Sequence, residues 1–94
     1  KWTPEKIKEL QKLAAYIEAY TKEPVEYIDC RNPEEIFVKV PTWNIRIGKL
    51  DSGLYDRIKI LPSIIAAQIN IDTSKIQYID LIWENVRYLK LNGE

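Results

Sequence analysis

Hydrophobic and polar positions divide the chain into stretches of two periods. Between Thr3 and Pro24, apolar residues recur at Ile7, Leu10, Leu13, Ala14, Ile17 and Tyr20, the three-and-four spacing of a helix with one apolar stripe. Thr3 is a good N-cap, Pro4 suits the first helical position where its missing N–H costs nothing, and Pro24 ends the run. The opposite face carries Glu5, Lys8, Glu9, Lys12 and Glu18, with Glu18 and Lys22 spaced as an i,i+4 ion pair. The period then drops to two. Residues 25–30 read as a strand closed by the Asn32-Pro33 turn, and residues 36–40 as a second strand that Pro41 ends. Trp43, Ile45 and Ile47 alternate with Asn44 and Arg46 in a third strand ending at Gly48. Asp51-Ser52-Gly53 forms a turn and supplies the N-cap of a second helix from Leu54 to about Asn70. Pro62 lies inside that helix, where an interior proline costs about 3 kcal/mol, so a kink or break is expected near Leu61-Pro62. A polar loop over 70–75 leads into a closing hairpin over 76–91, with a tight connection at Trp83-Glu84-Asn85.

The order helix, three strands, helix, two strands predicts an α+β fold. The expected form is a mainly antiparallel sheet of about five strands with two helices packed on one face, in a single domain over residues 1–94.

The closing hairpin is also the second copy of an earlier stretch. At an offset of 51 residues, E-Y-I-D-C-R-N-P-E-E-I-F-V-K-V (from Glu26) lies over Q-Y-I-D-L-I-W-E-N-V-R-Y-L-K-L (from Gln77). Over 35 aligned positions eight are identical, among them Tyr27/Tyr78, Ile28/Ile79, Asp29/Asp80 and Lys39/Lys90. Two copies are too few for a solenoid, so the pattern suggests a duplicated helix-strand-strand unit, with chance in a chain rich in Ile, Lys and Tyr as the alternative.

Alternation sorts the strand positions into two faces. Ile28, Cys30, Val38, Val40, Ile45, Ile47, Ile79, Leu81, Leu89 and Leu91 form the set expected to face the helices, with Cys30 as a small core residue. Tyr27, Asp29, Phe37, Lys39, Arg46, Tyr78, Asp80, Tyr88 and Lys90 form the other. Two readings of this outward set stay open. It can be a one-sided sheet held by cross-strand aromatics and by Asp29–Lys39 and Asp80–Lys90 charge pairs. It can also be a partner surface, since aromatics beside single charges mark binding faces.

Composition narrows the function. Lys plus Arg and Asp plus Glu number 14 each, with no basic cluster, so phosphate neutralisation offers nucleic acid little purchase. The chain has no His, one Cys and three scattered Gly. It therefore lacks the usual general base, a zinc-type ligand cluster and a phosphate loop, and neither catalysis, a cofactor nor a metal is expected. Asp29 and Asp80 would be the carboxylate pair for glycoside hydrolysis, but a small open sheet offers no evident cleft to separate their pKa values. No apolar run reaches the 18 or so residues of a membrane span, and a chain without Met is expected to be a piece of a longer protein.

Three motifs in order carry a resemblance: I-R-I-G (from Ile45), L-Y-D-R-I-K-I-L (from Leu54), and Y-I-D-L (from Tyr78) followed by a short apolar strand. Together they resemble the C-terminal β domain of the bacterial cell division protein FtsQ (DivIB in Gram-positives), over most of the chain from about Lys6. Ile82 departs from the pattern, since that family usually has Arg after Y-I-D-L. The resemblance implies a non-catalytic, extracytoplasmic scaffold of the division machinery at the septum. It would be held to the plasma membrane through an N-terminal anchor that this sequence does not include. It also implies FtsB- (DivIC-) and FtsL-like partners bound by strand addition at the last strand. The expected partner-binding residues are Tyr78, Asp80, Val86, Arg87, Tyr88, Leu89 and Lys90. An unblocked final strand agrees, because an edge offers free N–H and C=O groups to a partner. A different class of reading is a sheet that binds a ligand or single-stranded nucleic acid, using Tyr27, Phe37, Tyr78 and Tyr88 as stacking platforms.

Overall fold

The computed structural model describes residues 3–67, 72, 76–82 and 89–91. Its elements are α1 (Pro4–Thr21), β1 (Tyr27–Asp29), β2 (Ile36–Lys39), β3 (Asn44–Gly48), α2 (Leu54–Ile58), α3 (Leu61–Ala67), β4 (Ile76–Asp80) and β5 (Leu89–Leu91). The class is α+β, as the pattern predicts. One mixed sheet holds the strands in the order β1-β2-β3-β4-β5. Three neighbouring pairs run antiparallel, while β3 and β4 run parallel, Ile45 against Ile79 and Arg46 against Asp80. The parallel pair makes β3 and β4 a β-α-β unit inside an otherwise antiparallel sheet, with α2 and α3 in its crossover. Among the described residues no helix is long and apolar enough to cross a membrane.

Local chemistry accounts for the element ends. Thr3 accepts a hydrogen bond from the Lys6 amide and caps α1, with Pro4 as its first residue. At the other end Lys22 adopts the left-handed conformation (φ 62°) and its N–H reaches the Glu18 carbonyl. Pro24 follows two residues later. Glu18 does not reach for Lys22; its Oε2 accepts from the Val25 amide, tying the helix to the chain that enters β1. The turn Asp51-Ser52-Gly53 supplies the N-cap of the second helix, as expected, through its last residue. Gly53 occupies that position without a side-chain bond, while Asp51 Oδ1 accepts from the Gly53 amide and from Arg57 Nη1.

The second helix is two helices. The break falls at Lys59-Ile60, just before the expected place, and proline chemistry gives the reason. The Pro62 ring clashes with the carbonyl four residues back, that of Ile58, the last residue of α2. Starting a new helix at Leu61 puts Pro62 in a first turn, where its missing N–H costs nothing.

One core lies between the helices and the sheet. Leu13 and Ile17 of α1, Leu54 and Ile58 of α2, and Leu61 and Ile64 of α3 join Ile36, Val38, Ile45, Ile47 and Ile79 from the strands. Each such side chain contributes about 1.5–3 kcal/mol by leaving water. The first turns of α1 stay outside it: Ile7, expected on the core stripe, is 47% exposed. Val40, Trp43 and Leu81 complete the core, and Ile28 and Cys30 pack against it from the edge, so the inward set holds wherever its side chains are described.

The repeat is visible in the sheet. In the first hairpin Tyr27 faces Lys39 and Ile28 faces Val38; in the second Tyr78 faces Lys90 and Ile79 faces Leu89. Every one of these positions is related by the same offset of 51. Because β1, β3 and β4 run one way and β2 and β5 the other, the second hairpin is the first displaced across the sheet, with β3 between them.

Candidate partner-binding edge

At the end of the strand order stands β5, paired only with β4 among the described residues, Lys90 opposite Tyr78. Leu89 and Lys90 of the expected binding set lie on this strand. Val86, Arg87 and Tyr88, and the connection at Trp83-Glu84-Asn85, lie outside the described residues.

Tyr78 lies on the sheet face away from the helices. Its ring meets Phe37 edge-to-face, centroids 5.3 Å apart and planes at 88°, reaching over the intervening strand β3. Each ring thus fills the other's flank, an arrangement that stabilises a sheet face and leaves less open π surface for stacking. Tyr27, 56% exposed, stands apart from that pair.

Asp80 is the unexpected member. It belongs to the outward set by alternation, yet it is only 3% exposed. Arg46 on the adjacent parallel strand is its partner among the described side chains, its Nη1 donating to Asp80 Oδ2 at 3.0 Å; the expected partner Lys90 has its side chain outside the described residues. Oδ1 accepts from the Ile82 amide at 3.0 Å, closing a turn just past the end of β4. Arg46 bridges onward, its Nε 3.1 Å from Glu35 Oε1. Burial opposes the Arg46 charge, but the carboxylates of Asp80 and Glu35 outweigh it and hold the guanidinium pKa above its ordinary value. Asp80 therefore shapes the chain leaving β4 toward β5; its carboxylate is already committed.

The expected Asp29–Lys39 charge pair is corrected. Asp29 takes Arg31, through Nε at 3.0 Å and Nη2 at 2.8 Å, in place of Lys39. The hydrogen bonds from the Arg31 side chain and backbone hold the Asp29 carboxyl below its usual range. Lys39 turns instead to the carbonyls of Val40 and Pro41, with Glu26 at 4.0 Å. Strand alternation gives the face of a residue and not its neighbour across the sheet, so the Arg46–Asp80 pair was out of reach until β3 and β4 were known to be adjacent.

Elsewhere, a cleft of about 510 Å³ lies between the β3–α2 loop and the end of β4, lined by Gly48, Arg57, Ile60, Leu81 and Ile82. The Arg57 guanidinium within it is spent on structure, donating to the Ile47 and Lys49 carbonyls and to Asp51. Among the described residues no group of three or more His, Cys, Asp or Glu could hold a metal ion. Comparison with known proteins finds no matching family model, no matching curated protein and no matching solved structure.

Proposed function

We propose that this chain is a non-catalytic interaction module like the C-terminal β domain of FtsQ/DivIB, and that it receives a partner strand along β5. The observation that carries the reading is the position of β5 at the end of the sheet, with β4 as its single neighbour among the described residues. Main-chain pairing at such an edge supplies affinity, and alternate side chains supply selectivity. The ordered motifs I-R-I-G, L-Y-D-R-I-K-I-L and Y-I-D-L support the family; the parallel pairing that joins the first to the third puts Arg46 against Asp80. In this reading the module works on the extracytoplasmic side of the plasma membrane at the division septum, anchored by a segment outside this sequence, and its partners are FtsB- (DivIC-) and FtsL-like.

The test is a titration of the isotope-labelled chain with an FtsB-like peptide. Amide shifts confined to Leu89, Lys90, Leu91 and their β4 neighbours support strand addition; shifts elsewhere, or none, refute it. As a second arm, Tyr88→Pro is expected to abolish binding while circular dichroism stays native, and full binding by that variant would also refute the edge mode.

A further inference from the structure

The repeat makes a statement about the opposite edge of the sheet. We propose that the open side of β1 is a second strand-accepting edge, taking a partner segment that runs parallel to β1 and carries an aliphatic residue followed by arginine.

The template is inside the molecule. In the second copy, β4 has β5 on one side and β3 on the other, in parallel register with Ile45 against Ile79 and Arg46 against Asp80. The Leu81 amide, one position beyond the strand, donates to the Arg46 carbonyl at 3.0 Å. The first copy presents the same strand: Ile28, Asp29 and Cys30 stand 51 positions before Ile79, Asp80 and Leu81. Its hairpin register is the same. Its turn is the same as well, for the Arg31 amide donates to Asp29 Oδ1 at 3.2 Å as the Ile82 amide does to Asp80 Oδ1 at 3.0 Å. What differs is the flank. Where β4 has β3, β1 has no strand among the described residues, because it stands at the end of the strand order.

The chemistry at that flank names the missing neighbour. Asp80 is satisfied by an arginine from the strand on its β3 side; Asp29, with no described strand on the corresponding side of β1, is satisfied by its own Arg31. Arg31 occupies the position of Ile82 in the second copy, and its side chain is 89% exposed. It stands in for the arginine an incoming strand would bring. A segment with the pattern of Ile45-Arg46 would pack its aliphatic residue beside Ile28 and offer its guanidinium to Asp29. Its backbone carbonyl would accept from the Cys30 amide, which alternation turns toward the open side.

The chain's own β3 sequence is the natural probe. A synthetic peptide of residues 42–49, T-W-N-I-R-I-G-K, is titrated into the isotope-labelled chain. Saturable shifts are expected at the amides of 27–30. A nitroxide at the peptide N-terminus should broaden signals at the Val25 end of β1 and spare those at Asn32, as a parallel strand requires. Replacing the peptide arginine by alanine should weaken binding about five- to tenfold. Arg31→Ile in the protein, a change at an exposed side chain, should tighten binding by releasing Asp29, and Asp29→Asn should erase the preference for arginine. Four results would overturn the proposal. These are no shift at 27–30 at millimolar peptide, shifts centred on Val38 and Ile79 (the seat of β3 itself) or on 89–91, broadening at the Asn32 end, and weaker binding by Arg31→Ile.

Discussion

Asp80 shows how one side chain couples strands. Its carboxylate is nearly sealed from water, so its charge is tolerable only because Arg46 and the Ile82 amide satisfy it. Removing the arginine leaves a buried, half-satisfied anion. Arg46→Met is therefore expected to lower stability by about 2–4 kcal/mol in urea denaturation, whereas the double variant Arg46→Met/Asp80→Leu, which removes both charges, should recover much of that loss. A double variant no more stable than the single one would mean that burial of the unpaired charge is not the cause. Asp51 makes a pH-dependent counterpart near the surface. The hydrogen bond from Arg57, partly offset by burial, holds its carboxyl below the ordinary range. A carboxyl lowered in the folded state contributes stability that is fully present above its unfolded pKa of about 4 and is lost as pH falls through the folded value. Carboxyl NMR titration should place the Asp51 midpoint below that of a model aspartate, and Arg57→Gln should raise it; an unchanged midpoint would show that Arg57 is not its source. At this scale the sequence was a mixed guide. The Thr3 cap and the Asn32 turn follow from residue chemistry alone, and both are seen, Asn32 Oδ1 accepting from the Glu34 amide. The ion pairs of Asp29 and Asp80 do not, because each depends on which group lies beside it in three dimensions.

Elements are shaped by backbone restrictions as much as by hydrophobic pattern. The stripe from Ile58 to Ile69 reads as one helix, and only the reach of the Pro62 ring back to the Ile58 carbonyl tells where it must divide. Since the division already accommodates it, Pro62→Ala should change stability by less than about 1 kcal/mol, against the roughly 3 kcal/mol expected for relieving a proline in a helix interior. A gain of that larger size in thermal or urea unfolding would show that the proline is strained where it sits. The end of β3 is less forgiving. Gly48 has φ +80°, and an added Cβ would lie 3.2 Å from Ile82 Cδ1, next to the turn that Asp80 closes. Gly48→Ala should cost about 1–2 kcal/mol from the left-handed backbone alone, and more if Ile82 cannot shift. The glycine was legible as the end of a strand. Its second duty, making room for the residue after β4, appears only when β3 and β4 lie side by side.

At the scale of the molecule, the repeat explains the sheet better than the strand list does. Periodicity gave the elements and their inward faces, because alternation and burial are read residue by residue. It could not give the parallel pairing of β3 with β4, because nothing local in Ile45 or Ile79 says which strand will lie beside it. The two hairpins, alike in register and direction, place one β1-like strand against β3 and leave the other at the margin. That asymmetry can be measured amide by amide. Leu81 and Cys30 hold equivalent positions, yet the Leu81 amide is bonded to the Arg46 carbonyl while β1 has no strand on its outer side among the described residues. Exchange slows when opening requires breaking packed structure, and edges open first. The Leu81 amide should therefore exchange at least about a hundredfold more slowly than that of Cys30, after correction for intrinsic rates. Equal protection would mean that something already covers the outer side of β1, and no vacancy would remain there for a partner strand. If the inequality holds in the free chain and shrinks on addition of the β3-sequence peptide, the same two amides report both the vacancy and its filling.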